Sequence, residues 1–124
     1  MTKETGIIGE NLAAEFLEEK GYKILGRNYK FEISGPQKGE IDIIAKKGDV
    51  ISFVEVKTLT SDKSFAPEAK VDFTKQRKIV RSAQSWLMRN RIPMDSPWQV
   101  DVVAITIDSQ TQKATIRHLE NAVF

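Results

Sequence analysis

The pair Gly48-Asp49, set between two runs of strand-forming residues, constrains this 124-residue chain more than any other feature. Glu40–Lys47 and Val50–Lys57 are rich in isoleucine, valine and phenylalanine. A Gly-Asp junction between such runs signals a tight antiparallel hairpin. A two-residue loop sets Lys47 opposite Val50. Stepping back along both strands then sets Asp42 opposite Glu55 and Glu40 opposite Lys57. Side chains alternate along a strand, so these four share one face. Directly opposed residues have Cβ atoms about 5 Å apart. The register therefore predicts two carboxylates close enough to grip one cation, with an ammonium group alongside.

Like charges facing each other destabilise a sheet unless something compensates them. Here they interrupt apolar runs, Ile41-Asp42-Ile43-Ile44 and Phe53-Val54-Glu55-Val56. Mg²⁺ or Mn²⁺ would compensate well, since both prefer oxygen ligands and are held by one or two carboxylates plus water and substrate phosphate. Lys57 could then position an attacking water or stabilise charge on a phosphoryl transition state. Spacing alone equally admits a charge-neutralising network of Asp42, Glu55, Glu40 and Lys57 on an exposed sheet face, because an acid followed by Glu-x-Lys is a loose pattern.

The rest of the chain supplies a frame for that hairpin. Leu12, Ala13, Phe16 and Leu17 form one apolar arc of a helix from about Gly6 to Lys20, ended by Gly21, with Glu10 at the arc's margin. Tyr22–Phe31 reads as a strand and Glu32–Gly39, with Ser34-Gly35-Pro36, as a loop. Thr58–Val71 shows neither period and contains Pro67, so it too reads as a loop. Asp72 is the expected N-cap of a second helix reaching about Asn90, with Ile79, Val80, Ala83, Trp86 and Leu87 on its core face. Val100–Ile107 reads as a buried strand, Asp108–Gln112 as a turn and Ala114–Leu119 as a final strand. The order α-β-β-β-α-β-β predicts an α/β fold, a mixed sheet flanked by helices, in one domain spanning 1–124.

Composition removes whole classes of chemistry. The chain has no cysteine, which excludes disulfides, thiol catalysis and thiolate metal sites. Its one histidine, His118, is distant in sequence from the hairpin acids and reads as structural. A lone imidazole argues against His-rich zinc sites and Ser-His-Asp machinery. The longest apolar run, Val102–Ile105, is far too short for a membrane span, and Met1–Gly6 lacks a signal-peptide core; a cytoplasmic protein without membrane contact is expected. A net charge of +2 names no partner. Between 70 and 91, however, Lys70, Lys75, Arg77, Lys78, Arg81, Arg89 and Arg91 stand against Asp72 alone. That reads either as a phosphate-binding surface or as a solvated helix face. Lys75 borders the core face, and Arg27-Asn28 could meet backbone phosphate or cap a strand end. Trp86 and Trp98 read as core, and Asp101 either supports the site or begins its strand.

Gly39-Glu40-Ile41-Asp42-Ile43-Ile44-Ala45, followed by Phe53-Val54-Glu55-Val56-Lys57-Thr58, resembles the signature of the YraN-like family of small bacterial proteins. That family is similar to the PD-(D/E)XK nucleases and, among them, to archaeal Holliday-junction resolvases. Gly9-Glu10, Gly21-Tyr22, Arg27-Asn28, Lys75 and Asp101-Val102-Val103 extend the resemblance over nearly the whole chain. It implies a restriction-endonuclease-like core. It also implies Asp42, Glu55 and Lys57 as catalytic residues, and Glu10 and the Val56 carbonyl beside the two acids as ligands of Mg²⁺ or Mn²⁺. Lys75, Lys78 and Arg27 become candidates for contact with DNA, or RNA; the related resolvases act as homodimers, while the sequence itself leaves oligomeric state open. The superfamily's proline before the aspartate is replaced by Ile41, and Leu59 stands where the family often has arginine. Three functions follow as expectations: a metal-dependent nuclease acting on DNA, branched or recombination intermediates included; a non-catalytic nucleic-acid-binding module on the same fold; and a protein-interaction domain whose acids only balance local charge.

Overall fold

The first helix, α1 (Lys3–Glu19), stops where its sequence turns from an apolar arc to Lys20-Gly21. Gly21 takes φ 95°, its N–H donates to the Glu18 carbonyl at 3.0 Å, and the Tyr22 N–H donates to the Leu17 carbonyl at 3.0 Å. This is a Schellman ending, which satisfies carbonyls the helix would otherwise leave open. The second helix, α2 (Phe73–Arg89), ends the same way: Arg91 donates to Met88, Ile92 to Leu87, and Arg91 carries the positive φ of 56°. The computed structural model describes the backbone of residues 3–32, 38–60, 73–93 and 95–122, with side chains for 6–30, 40–59, 77–93 and 95–122. The expected N-cap Asp72 and the side chain of Lys75 lie outside those residues.

Five strands form one open sheet in sequence order: β1 (Lys23–Glu32), β2 (Lys38–Lys47), β3 (Val50–Thr60), β4 (Trp98–Ile107) and β5 (Ala114–Leu119). All neighbours are antiparallel except β3 and β4, which run parallel. A parallel neighbour requires a crossover, and α2 lies within the segment that supplies it. The sheet is mixed and carries helices as expected. Several boundaries differ from the sequence reading, among them β2, which begins at Lys38 rather than Glu40, and β1, which covers Lys23–Glu32. The first helix begins at Lys3 rather than Gly6. The third strand runs on to Thr60 and the fourth begins at Trp98, because the parallel ladder continues from Ile51–Trp98 to Thr60–Ile107. Pairing with a neighbour, not local propensity, sets those ends.

The two helices bury opposite faces of the sheet. On one side Ile79, Ala83, Trp86 and Leu87 of α2 pack over Ile44, Ile51, Phe53, Val100 and Val102. Phe53 is fully buried, with the rings of Trp86 and Trp98 edge-on at 5.8 and 5.7 Å. Ala13, Ala14 and Leu17 of α1 pack on the other side over Ile43, Ala45, Val54, Val103 and Ile105. Alternation in β3 accordingly turns Phe53, Glu55 and Lys57 toward the α2 side, and Ser52, Val54 and Thr58 toward α1. Gly9 brings α1 down onto β3, since a Cβ there would overlap the Thr58 hydroxyl. Among the described residues no helix is long and apolar enough to cross a membrane.

Candidate metal centre

The hairpin register is the one the sequence dictates. Gly48 occupies the first position of the turn with φ 61°, and pairs run from Lys47–Val50 to Ile43–Val54. A Gly there with positive φ fits a II′ turn, whose twist suits a two-residue hairpin. Asp42 and Glu55 occupy the next step, and the ladder ends just before them. This corrects the expectation of a directly paired Asp42 and Glu55. Instead, the Asp42 carboxylate accepts the Val56 N–H at 2.8 Å. A side chain substitutes for the ladder at that step, so the acid is oriented by the main chain of the neighbouring strand.

Three further groups converge there. The Lys57 ammonium lies 3.5 Å from a Glu55 carboxylate oxygen, both largely sequestered from solvent. Glu10, next to the Gly9 contact point, turns one carboxylate oxygen into the interior, where it has no hydrogen-bond partner among the described residues. Glu40 is exposed. The Asp42 carboxyl is pushed up from 3.8 to about 7 by burial, then by the charge of Glu55; the Val56 N–H opposes the rise, and Glu10 and Glu40 add to it. Burial and like charge act in the same direction, so a proton, or a cation in its place, is strongly favoured.

Oxygen donors alone make this a set suited to hard divalent cations. The orphaned Glu10 oxygen and the raised Asp42 carboxyl are what such a group would correct. Asp42, Glu55 and Glu10 do not all close to within 4.8 Å of one another; Asp101, His118 and Glu120 do. Val56 contributes its N–H to the centre. Arg27 reaches α1, where its guanidinium donates to Asn11 Oδ1 at 2.8 Å beside Glu10. Arg77, Arg81 and Arg89 are exposed on α2, with Lys78 half-buried.

Distant from the hairpin acids in sequence, His118 nonetheless meets an acid, since its Nε2 lies 2.8 Å from Asp101 Oδ2. Asp101 is wholly buried, and its other oxygen accepts from Gln99 Nε2 at 3.0 Å and the Asn121 N–H at 2.9 Å. Tyr22 donates to Glu120 at 3.2 Å, and burial, followed by the charges of Glu120 and Asp101, pushes its phenol up to about 12. The missed signal was the second hairpin. With Ile107 opposite Ala114 across the Asp108–Gln112 turn, the β4–β5 register sets Val103 against His118 and carries Asp101 toward Glu120.

Fold and centre together define a class, an open five-stranded α/β protein with acids clustered where its central hairpin parts. Comparison with known proteins gives the particular group. Residues 9–105 match the model described as "Uncharacterised protein family UPF0102". A "UPF0102 protein" of Alkaliphilus oremlandii is 43% identical over 122 residues, covering 98% of this chain and 99% of that one. One from Geobacter metallireducens is 42% identical over 120 residues, covering 97% and 92%. Another, from Caldanaerobacter subterraneus subsp. tengcongensis, is 39% identical over 121 residues, covering 97% and 94%. The chain belongs to the UPF0102 family.

Proposed function

We propose that this protein is a divalent-metal-dependent nuclease that hydrolyses phosphodiester bonds in DNA, branched or recombination intermediates among them. The observation that carries the reading is the buried, unpartnered Glu10 oxygen beside a half-buried Asp42 and a buried Glu55. Asp42, Glu55 and Glu10 bring together negative charge that a cation would neutralise. Asp42, Glu55 and Glu10, with the Val56 carbonyl, would hold Mg²⁺ or Mn²⁺. Once bound, the cation supplies polarisation of a phosphoryl oxygen and a more acidic water. The remaining work falls to the protein. Val56 fixes Asp42 through its N–H. Lys57, tethered by Glu55, holds a positive charge where it can orient the attacking water or stabilise developing oxyanion charge. The exposed arginines of α2 offer phosphate contacts that do not depend on base sequence.

The test is cleavage of duplex, single-stranded and four-way DNA with Mg²⁺ or Mn²⁺ by wild type, Asp42→Asn and Glu55→Gln. Cleavage by wild type alone supports the proposal; equal activity in all three points to contamination and ends it. The α2 arginines favour one second reading, a binding module without turnover. Salt-dependent DNA binding that survives both substitutions, with no cleavage by any variant, would select it.

A further inference from the structure

Asp101 and Glu55 stand on neighbouring strands but opposite faces of the sheet. In the parallel ladder Asp101 pairs with Val54, and it shares the α1 side with Val103 and Ile105. The cluster around Asp101 is separate from the Asp42, Glu55 and Lys57 side chains of the proposed nuclease centre, which makes no use of it. One ligand atom each from Asp101, His118 and Glu120 lies within 4.8 Å of the others.

We propose that Asp101, His118 and Glu120 form a second metal site, selective for a nitrogen-accepting divalent transition metal of the zinc and cobalt class. The donor set is one imidazole and two carboxylates, a combination that suits Zn²⁺ or Co²⁺ better than Mg²⁺. The ligands are already oriented. Gln99 and the Asn121 N–H hold one Asp101 oxygen and leave the other toward His118. Tyr22 holds one Glu120 oxygen. Phe16 and Tyr22 clamp the imidazole edge-on at 6.4 and 5.8 Å. Such outer partners are what fixes a metal ligand's direction. Ligands of a tetrahedral zinc stand roughly 3.3 Å apart. The 2.8 Å between His118 Nε2 and Asp101 Oδ2 needs to widen only slightly.

A second observation comes from the neighbouring strand. Ser52 is almost fully buried, and its hydroxyl has no partner among the described residues. It lines a cavity of about 150 Å³ together with Glu120, Tyr22, Gln99, Lys47 and Val50. Three protein ligands leave a fourth position for water. The cavity borders Glu120, and a water in the fourth position could extend into it toward the Ser52 hydroxyl. Because the ligands come from β4, β5 and the turn after β5, and the aromatic groups around them from α1 and the residue just before β1, the metal would tie the last strands to the first helix.

The test is Co²⁺ titration of the full chain carrying Asp42→Asn and Glu55→Gln, read by visible absorption and by paramagnetic shift of the histidine NMR signals. With only one histidine, those shifts report this site alone. We expect one Co²⁺ bound with His118 shifted. Glu120→Gln, an exposed change, should weaken binding roughly tenfold or more. His118→Gln, which keeps a donor for Asp101, should abolish the absorption band. No Co²⁺ binding, unshifted His118 resonances, or unchanged affinity in Glu120→Gln would overturn the site, and none of these outcomes bears on DNA cleavage.

Discussion

Replacing Asp42 by asparagine should stabilise the metal-free protein above neutral pH and make no difference below pH 4. The amide oxygen can still accept the Val56 N–H, so the substitution removes the charge while keeping the acceptor. In the folded wild type the carboxyl releases its proton near 7, against 3.8 ordinarily. Between those values the folded state holds a proton that the unfolded chain has lost, so stability falls as pH rises and levels off above 7. Three pH units at 1.36 kcal/mol each give a ceiling of about 4 kcal/mol. Burial is the first cause and the charge of Glu55 the next, and solvent at this half-buried side chain relieves part of both, so about 2–4 kcal/mol is the expected range. Urea unfolding in EDTA at several pH values from 4 to 9 measures it, as the free-energy difference between variant and wild type. That difference should grow toward high pH, and millimolar Mn²⁺ should shrink it by stabilising the wild type alone. A difference that stays flat from pH 5 to 8 would refute the buried, charge-opposed carboxylate on which the proposed metal centre rests.

Two more perturbations test the frame. Gly9→Ala should cost about 1–3 kcal/mol in thermal or urea unfolding, because its methyl would overlap Thr58; adding Thr58→Ala should recover part of the loss. Arg91→Gly should stabilise by about 0.5–1 kcal/mol, since glycine adopts the positive φ at the end of α2 without steric penalty; unchanged or lower stability would remove the backbone argument.

The hairpin was legible because two independent signals coincided in it: turn chemistry at Gly48-Asp49 fixes the register, and the side-chain period fixes the faces. The β5 boundaries, Ala114–Leu119, were legible for a similar reason, bounded by a polar turn before and a polar end after. What escaped was tertiary. Nothing local says that the ladder stops at Ile43–Val54, because that depends on where the strands diverge. Thr58–Thr60 lack a strand period, yet the parallel partner β4 holds them extended. Glu10 could be placed at the margin of a helix face, but its depth follows from the close seating of Gly9 on Thr58. His118 and Asp101, 17 positions apart, meet only once the second hairpin is zipped.

The bond between Asp42 and the Val56 amide makes this residue a fastener as well as a candidate reagent. Fastening asks only for an oxygen at that spot, and a neutral amide would provide it without electrostatic repulsion. The architecture by itself thus has no use for the formal charge, and keeps it at a standing penalty. An acid at a spot where its neutral analogue would sit more comfortably is what the proposed cation site asks for and folding alone does not.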